Sequence, residues 1–410
     1  MKYPERTPEV QPYPFGEPHL LHLDPRYATL RDAEGLCPVD LGDLGPAWLC
    51  SRYADVRRLL TDPRFDLTPP TEPTEPTEPP PTAALSPAQV TRVTKAGLKP
   101  RQIERLRPLA RTLAGELIHR PDHREGPAEP SELPQPTDLM ATFVKPLAAA
   151  VVCELLDVPP ADRTDVRAYL LGAAGTTTPP SEAEKQDRRA LTRYLTELTA
   201  ARSAAASGTA DDLLSSMIRT RGEGAERLTD RQLVTVALRL LLPGLQNMVL
   251  MLANFVCALA CHRSELERLR LRPDLVPSAV EELIRFTPFH STSTFPRYAA
   301  EDVEIGGTLI RRGEVAVGAL CAANRDERAF PGPDTFDVRR GENPHLGFGM
   351  GSHHCPGAAL ARLYLQEAIG ALARRTDDLR VLRPETGARG GNERIVGWFD
   401  ALPASWSARG

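Results

Sequence analysis

The stretch that most constrains the fold of this 410-residue chain is HLGFGMGSHHCPGAALARLYLQEAI, at 345–369. Glycines alternate through its first half, and its second half has apolar residues at three- and four-residue spacing, which predicts a helix. Cys355 stands at the junction. Pro356 suits the first helical position, so we expect the thiol to face unpaired backbone N–H groups at the positive end of the helix dipole. That environment favours the thiolate, the form that can ligate iron.

Three other interpretations of Cys355 can be compared with iron ligation. A lone cysteine beside a turn is most often a small core residue. A zinc site is disfavoured because His353, His354 and Cys355 are contiguous and lack the usual spacing of zinc ligands. Covalent haem attachment is disfavoured because the chain has no C-x-x-C-H motif. The whole pattern, F-G-x-G-x-H-x-C-x-G followed by a helix, is far more restrictive than any single residue.

This pattern resembles the haem-binding loop of the cytochromes P450, which are haem-thiolate monooxygenases. The resemblance implies a haem b whose axial iron ligand is Cys355, with Phe348 beside the sulfur and Gly349 in the cofactor loop. It also implies that His353 and Arg297 bind haem propionates. The family's electrons come from NAD(P)H through a ferredoxin reductase and a ferredoxin, so these are the implied partners.

The segment SAVEELIRFTPF extends the resemblance along the chain. Glu282 and Arg285 are three residues apart and therefore share one face of a helix. They match the family's E-x-x-R element, which implies a buried structural cluster with Arg340 as the third member. The resemblance covers most of the chain and implies one P450 domain over 1–410. Its fold is mainly α with small β-sheets, in the α+β class.

Sequence periodicity gives a coarse map of secondary structure. Helices are predicted over 101–117, 139–156, 187–202, 231–259, 277–286 and 358–375. Short strands are predicted around Trp48, at 303–305, around Leu309 and at 314–317, with Gly306-Gly307 as a hairpin turn. The threefold T-E-P repeat within 68–87 is rich in proline, which predicts an extended, mobile loop. By resemblance it lies over the distal pocket; a recognition element and a plain insertion are equally good interpretations.

Two segments depart from the family pattern. Many bacterial members have a basic H-T-R-L-R-R run whose histidine and arginine bind a propionate. Alignment puts Pro87 at the histidine and Thr91 at the first arginine, and only Arg92 keeps its charge, with Lys95 as a possible substitute. Arg92 is therefore the expected third propionate ligand.

The second departure is RLLLPGLQNMVLML, in the long helix. The family usually has A/G-G-x-D/E-T here, an acid and an alcohol that deliver protons during oxygen activation. This chain keeps Gly244 but has Gln246 for the acid and Asn247 for the alcohol. An amide can hold water but cannot exchange a proton at neutral pH. Pro243 should kink the helix, and the alternative interpretation is that the two polar residues only line that kink.

Charge and composition predict the kind of partner and the cellular compartment of the chain. A net charge of −4 argues against a nucleic-acid partner held by general charge. The seven scattered cysteines indicate reduced cytosolic thiols rather than a disulfide framework. No run of 18 apolar residues occurs, because Arg239, Pro243, Gln246 and Asn247 interrupt the most apolar stretch. We expect a soluble, cytoplasmic monomer without a membrane partner.

Three functions remain compatible with the sequence. The first is hydroxylation or epoxidation of a largely apolar specialised metabolite, either free or bound to a carrier protein. The second is an atypical oxidation, such as aryl coupling, ring closure or rearrangement, in which the substrate assists proton delivery. The third is a non-catalytic relative that binds a partner enzyme, which the retention of Cys355 and Phe348 disfavours. By resemblance the pocket includes 66–86, 165–185, 240–247, 289–295 and 395–400.

Overall fold

The computed structural model of the chain describes residues 10–15, 21–69, 85–119, 136–175, 179–205, 211–288, 296–382 and 401–408. It divides into two compact units. The first, here the sheet unit, comprises Met1–Glu75, Ser278–Cys355 and Asn392–Trp398. The second, here the helix unit, comprises Pro76–Pro277, Pro356–Gly391 and Phe399–Gly410. The single domain over 1–410 stays a prediction.

The described residues are mainly helical, as the sequence predicts. The helices are α1 (Arg26–Asp32), α2 (Tyr53–Thr61), α3 (Pro87–Gly97), α4 (Pro100–Glu104), α5 (Arg107–His119), α6 (Lys145–Leu155), α7 (Arg163–Ala173), α8 (Glu182–Ala204), α9 (Leu213–Arg219), α10 (Asp230–Cys261), α11 (Arg263–Leu271), α12 (Val276–Phe286), α13 (Leu320–Ala323) and α14 (Ala358–Arg375). All six predicted helical segments overlap helices of the structure, and α14 has the predicted bounds. Within the predicted segment 139–156, a π-helix at Met140–Val144 precedes α6.

Two proline positions explain two of the differences between the predicted and the observed elements. The helix expected over 101–117 is divided between α4 and α5, because Pro108 cannot continue the hydrogen-bond ladder from the preceding turn. The predicted loop over 68–87 ends one residue too late: Pro87 is the first residue of α3, where Ser86 forms a capping box with Gln89. Residues 70–84, which contain the T-E-P repeat, lie outside the described residues.

The strands within the described residues form one larger and two smaller sheets. They are β1 (Gln11–Pro12), β2 (Cys37–Asp40), β3 (Pro46–Cys50), β4 (Phe65–Asp66), β5 (Thr137–Asp138), β6 (Arg297–Ala299), β7 (Val303–Ile305), β8 (Thr308–Ile310), β9 (Val315–Gly318), β10 (Thr376–Val381) and β11 (Pro403–Ala408). In the sheet unit the order is β1-β2-β3-β9-β6-β4, and β7 pairs with β8. In the helix unit the order is β10-β11-β5. The predicted hairpin turn is confirmed, with φ of 57° at Gly306 and 79° at Gly307.

Helix α10 forms the core of the helix unit. It runs without interruption through Pro243, and most of its side chains are buried. By length and composition it could cross a membrane, but 72% of its most apolar window is buried inside the structure. A core helix of a globular protein has the same properties, because its apolar side chains pack against neighbouring helices on all sides.

Candidate active site

The loop that ends at Cys355 is closed by its own backbone. The Cys355 N–H donates to the Phe348 carbonyl at 2.9 Å, and the Gly349 N–H donates to the Leu346 carbonyl at 2.8 Å. Cys355 is half-buried, whereas Phe348 is buried. Helix α14 begins at Ala358, so Pro356 lies before the helix rather than at its first position.

The N-cap of α14 is Gly357, whose carbonyl accepts from the Ala361 N–H at 2.9 Å. Pro356 and Gly357 therefore form a turn that separates the cysteine from the helix by two residues. The predicted range 358–375 is right, but the expected place of Pro356 at the first helical position is wrong.

Two glycines of this loop adopt backbone conformations that other residues rarely reach. Gly349 has φ of 68° and Gly351 has φ of 76°. A Cβ on Gly351 would also lie 2.6 Å from the Leu60 carbonyl oxygen at the end of α2. The glycine spacing thus shapes the turn and allows it to pack on α2.

Buried polar groups that the sequence analysis missed hold the start of the loop. The Leu346 N–H donates to Asn324 Oδ1 at 2.8 Å, and Asn324 is buried after α13. His345 Nδ1 accepts from the Gly347 N–H at 3.2 Å, so Nε2 carries the proton and donates to Glu281 Oε2 at 3.0 Å. These contacts fix the backbone ten residues before Cys355. No local sequence pattern predicted these contacts, because they join residues 22 and 64 positions apart.

The predicted charge cluster is confirmed. Glu282 binds Arg285 through both carboxylate oxygens at 2.8 Å and binds Arg340 Nε at 3.0 Å. The Asn343 amide and the Asp337 N–H complete its hydrogen bonds, each at 3.1 Å. Arg285 also donates to the carbonyls of Asn324 and Pro333, at 2.9 and 2.8 Å. The cluster thus fixes the segment that leads into the cysteine loop.

Arg297 is a buried cation on β6 of the sheet unit. Among the described residues its guanidinium forms a single hydrogen bond, a 3.3 Å contact with the Pro296 carbonyl. Burial lowers its pKa, and the nearby Asp66 carboxylate offsets this only in part. Since a buried charge is costly without a counter-charge, this site suits an anionic group such as a haem propionate. His353 is exposed in a 3₁₀ turn at Gly351–His353, and its propionate contact stays a prediction.

In the helix unit, one face in the middle of α10 is open, although most of the helix is buried. Pro243 and Asn247 are exposed, and Leu240 and Gly244 are partly exposed. These positions follow the helical repeat and therefore lie on one face. A Cβ on Gly244 would meet no atom within 4 Å among the described residues, so the glycine leaves room for a ligand to approach the backbone. This face fits a flat cofactor and an apolar substrate.

Gln246 has partners that the sequence analysis did not foresee. Its Nε2 donates to the Ala174 carbonyl at 2.9 Å and to the Gly175 carbonyl at 3.1 Å, at the end of α7. The side chain is half-buried there, whereas Asn247 faces the open side of α10. The two amides of the pair therefore have different surroundings.

Arg92 also has partners within the helix unit. Its Nε donates to the Thr220 carbonyl at 3.0 Å, and its Nη2 donates to the Arg221 carbonyl at 3.3 Å, after α9. This arrangement suits a cation near the negative end of a helix dipole. The predicted propionate contact of Arg92 stays a prediction, and the observed role is to bind the end of α9.

Comparison with known proteins places these features in a family. Residues 273–375 match the family model described as Cytochrome P450. The mycinamicin IV hydroxylase/epoxidase of Micromonospora griseorubida is 36% identical, and the match covers 97% of this chain and 99% of that protein. The nocardicin C N-oxygenase of Nocardia uniformis subsp. tsuyamanensis is 35% identical with the same coverage.

The fold gives the same result. The crystal structure of the LnmA cytochrome P450 hydroxylase, from the leinamycin biosynthetic pathway of Streptomyces atroolivaceus, matches with a TM-score of 0.80 at 35% identity. That match covers 97% of this chain and 100% of the LnmA chain. The chain therefore belongs to the cytochrome P450 family of monooxygenases.

Proposed function

We propose that this monooxygenase hydroxylates or epoxidises a largely apolar specialised metabolite. When bound, the haem supplies the oxygen-activating chemistry, with Cys355 as its thiolate ligand and Arg297 and His353 at its propionates. The observation that supports an apolar substrate is the open face of α10, where Leu240, Pro243 and Gly244 lie beside the amide of Asn247. The hydroxylase/epoxidase relative supports the reaction class.

The proposed role of Asn247 is to hold water beside the reacting substrate. Its amide can donate to one water and accept from another, which orders a proton path without ionising. Gln246 cannot share this role with its Nε2, because that nitrogen already donates to two carbonyl oxygens. Proton delivery on this face thus depends on Asn247 and the water that it binds.

A second candidate is an atypical oxidation in which the substrate helps to deliver protons. The absence of an ionisable side chain at both 246 and 247 favours it, because an acid normally provides about 10²–10⁴-fold in rate. Pocket segments 289–295 and 395–400, which could contribute polar groups, lie outside the described residues. A carrier-bound substrate is compatible with either reaction.

Variants at Asn247 test the first candidate against the second. The relatives' substrates, mycinamicin IV and nocardicin C, belong to the first panel of compounds screened for a substrate-induced haem spectrum. With a compound that binds and reacts, Asn247→Ala should lower product per NADPH and raise peroxide, and Asn247→Thr should restore much of the coupling. Unchanged coupling in Asn247→Ala, with a collapse only for an analogue lacking a hydroxyl or amine, would favour substrate-assisted delivery.

The redox partner that we propose is an acidic ferredoxin, reduced by its reductase with NAD(P)H. Exposed cations are concentrated on α3, α4 and the residues that follow them, and α4 packs against α14. We call this the basic patch: Lys95, Lys99, Arg101 and Arg105. No carboxylate lies within 4.0 Å of these four side chains among the described residues, so their charges are available to a partner. We also propose that the enzyme is a cytoplasmic monomer.

A further inference from the structure

The end of α7 is a tightly packed junction within the helix unit. The Ala174 N–H donates to the Leu170 carbonyl and the Gly175 N–H to the Gly172 carbonyl, each at 3.1 Å. A Cβ on Gly172 would collide with the Asp187 carboxylate, and one on Gly175 would collide with the Glu184 carboxylate. The chain therefore ends α7 directly against the first turns of α8.

The carbonyls of Ala174 and Gly175 meet the Gln246 amide at this junction. Carbonyl groups at the end of a helix lack partners within the helix and carry the negative end of its dipole. A primary amide satisfies two of them at once, because its nitrogen has two hydrogens. A carboxylate at the same position has no hydrogen to donate, so its oxygens would face two carbonyl oxygens that can only accept hydrogen bonds.

We infer that Gln246 is a positioning residue that fastens the end of α7 to α10. It occupies the place of the acid in the family's distal pair, but its hydrogens stabilise a helix terminus instead of moving protons. The inference deepens the proposed function and rests on it in one respect, namely that Asn247 lies on the reacting face. The substrate-facing wall formed by α10 and the end of α7 would then be fixed by this contact.

The contact changes what an acid at position 246 would do. Ordinary family members have an acid here that delivers protons. In this chain the carboxylate introduced by Gln246→Glu would face two carbonyl oxygens beside the negative end of α7, so it should weaken the junction. The same electrostatics should raise the pKa of the new carboxyl, since its neutral form can donate one hydrogen bond.

Hydrogen–deuterium exchange of the haem-loaded protein, followed by mass spectrometry, tests the contact. Exchange should become about tenfold faster in peptides covering 170–175 in both Gln246→Glu and Gln246→Met, since each variant loses two hydrogen bonds. After correction for intrinsic rates, the Gln246→Glu excess should shrink at about pH 5, where the raised pKa leaves the carboxyl protonated. Gln246→Met, which has no titratable group, should show no such pH dependence. Asn247→Thr is the matched control and should leave these peptides unchanged.

Native exchange rates at 170–175 in both Gln246 variants would overturn the inference, as would equal acceleration in Asn247→Thr. If Gln246→Glu fails to fold, Gln246→Met still decides the outcome, because it adds no charge. The measurement is independent of turnover. A failure of the haem-thiolate spectrum would refute the proposed function without altering the exchange result, so the two failures are distinguishable.

Discussion

The charge cluster around Glu282 allows the sharpest prediction of stability. We consider Glu282→Gln, which keeps the shape of the side chain and removes its charge. Glu282 and Arg285 have no exposed side-chain surface, and the Arg340 side chain is 11% exposed. The substitution leaves Arg285 without its carboxylate at a place with no exposed side-chain surface, and it removes the same partner from Arg340.

The expected loss follows from burial. Removing one partner of a buried ion pair costs about 3–5 kcal/mol, because the remaining charge is left uncompensated. The shift in melting temperature is this free energy divided by the unfolding entropy, which is about 2.1 cal per mol per kelvin per residue. For cooperative unfolding of this chain, the melting temperature should therefore fall by about 3–6 °C. Arg285→Gln should be at least as destabilising, and Arg340→Gln less so because water reaches its side chain.

Differential scanning calorimetry of the haem-loaded protein provides the measurement. Asp32→Asn is the control in the same unit, since the Asp32 and Arg328 side chains are 73% and 51% exposed at 3.4 Å. Water solvates both groups, so the control should leave the melting temperature unchanged. A Glu282→Gln variant as stable as the control would refute the argument that this cluster is buried and structural.

Three further predictions concern other sites. Arg297→Met should weaken haem retention by about tenfold or more while leaving the haem-free protein as stable as before, because Asp66 offsets the burial of this cation only in part until a propionate binds. Haem transfer to apomyoglobin and melting of the apo-protein measure the two effects. Iodoacetamide at pH 8 should alkylate the exposed Cys261 but spare Cys321 until the protein unfolds. Burial raises the pKa of Cys321 to about 12, which keeps its thiol protonated at pH 8. Equal alkylation of both thiols, measured by mass spectrometry, would contradict this. Replacing Lys99 and Arg105 by glutamate should raise the apparent KM for ferredoxin and weaken its salt dependence, because the positive charges that attract the partner are lost. Stopped-flow reduction rates measure the effect. They should be unaffected by the control, in which glutamate replaces Arg188 and Arg189, two exposed arginines of α8.

What the sequence could predict was encoded in local patterns. The cysteine loop is a contiguous motif, and Glu282 and Arg285 are one helical turn apart, so both were identifiable from the sequence alone. The pairing with Arg340 came from family resemblance. The partners of Gln246 could not be predicted, because Ala174 lies 72 residues away and contributes only a backbone carbonyl, which has no sequence signature.

Long separation along the chain also explains why the contacts of Asn324 and His345 were missed. Asn324 binds a backbone N–H 22 residues away, and His345 binds Glu281 at a separation of 64 residues. Arg92 was expected to bind a propionate, and its contacts with the end of α9 depend on carbonyls 128 and 129 residues away. These missed contacts are therefore hydrogen bonds between residues far apart in the chain, and most of them involve a backbone group.

The most direct test of the account is the carbon-monoxide difference spectrum of the reduced protein. With Cys355 as a thiolate ligand, the native protein and the Cys321→Ser control should both show the strongly red-shifted Soret band of the family. Cys355→Ser should abolish that band, because the serine cannot replace the thiolate donor. An unaltered spectrum in Cys355→Ser would contradict the assignment of the iron ligand, and with it the central claim about this chain.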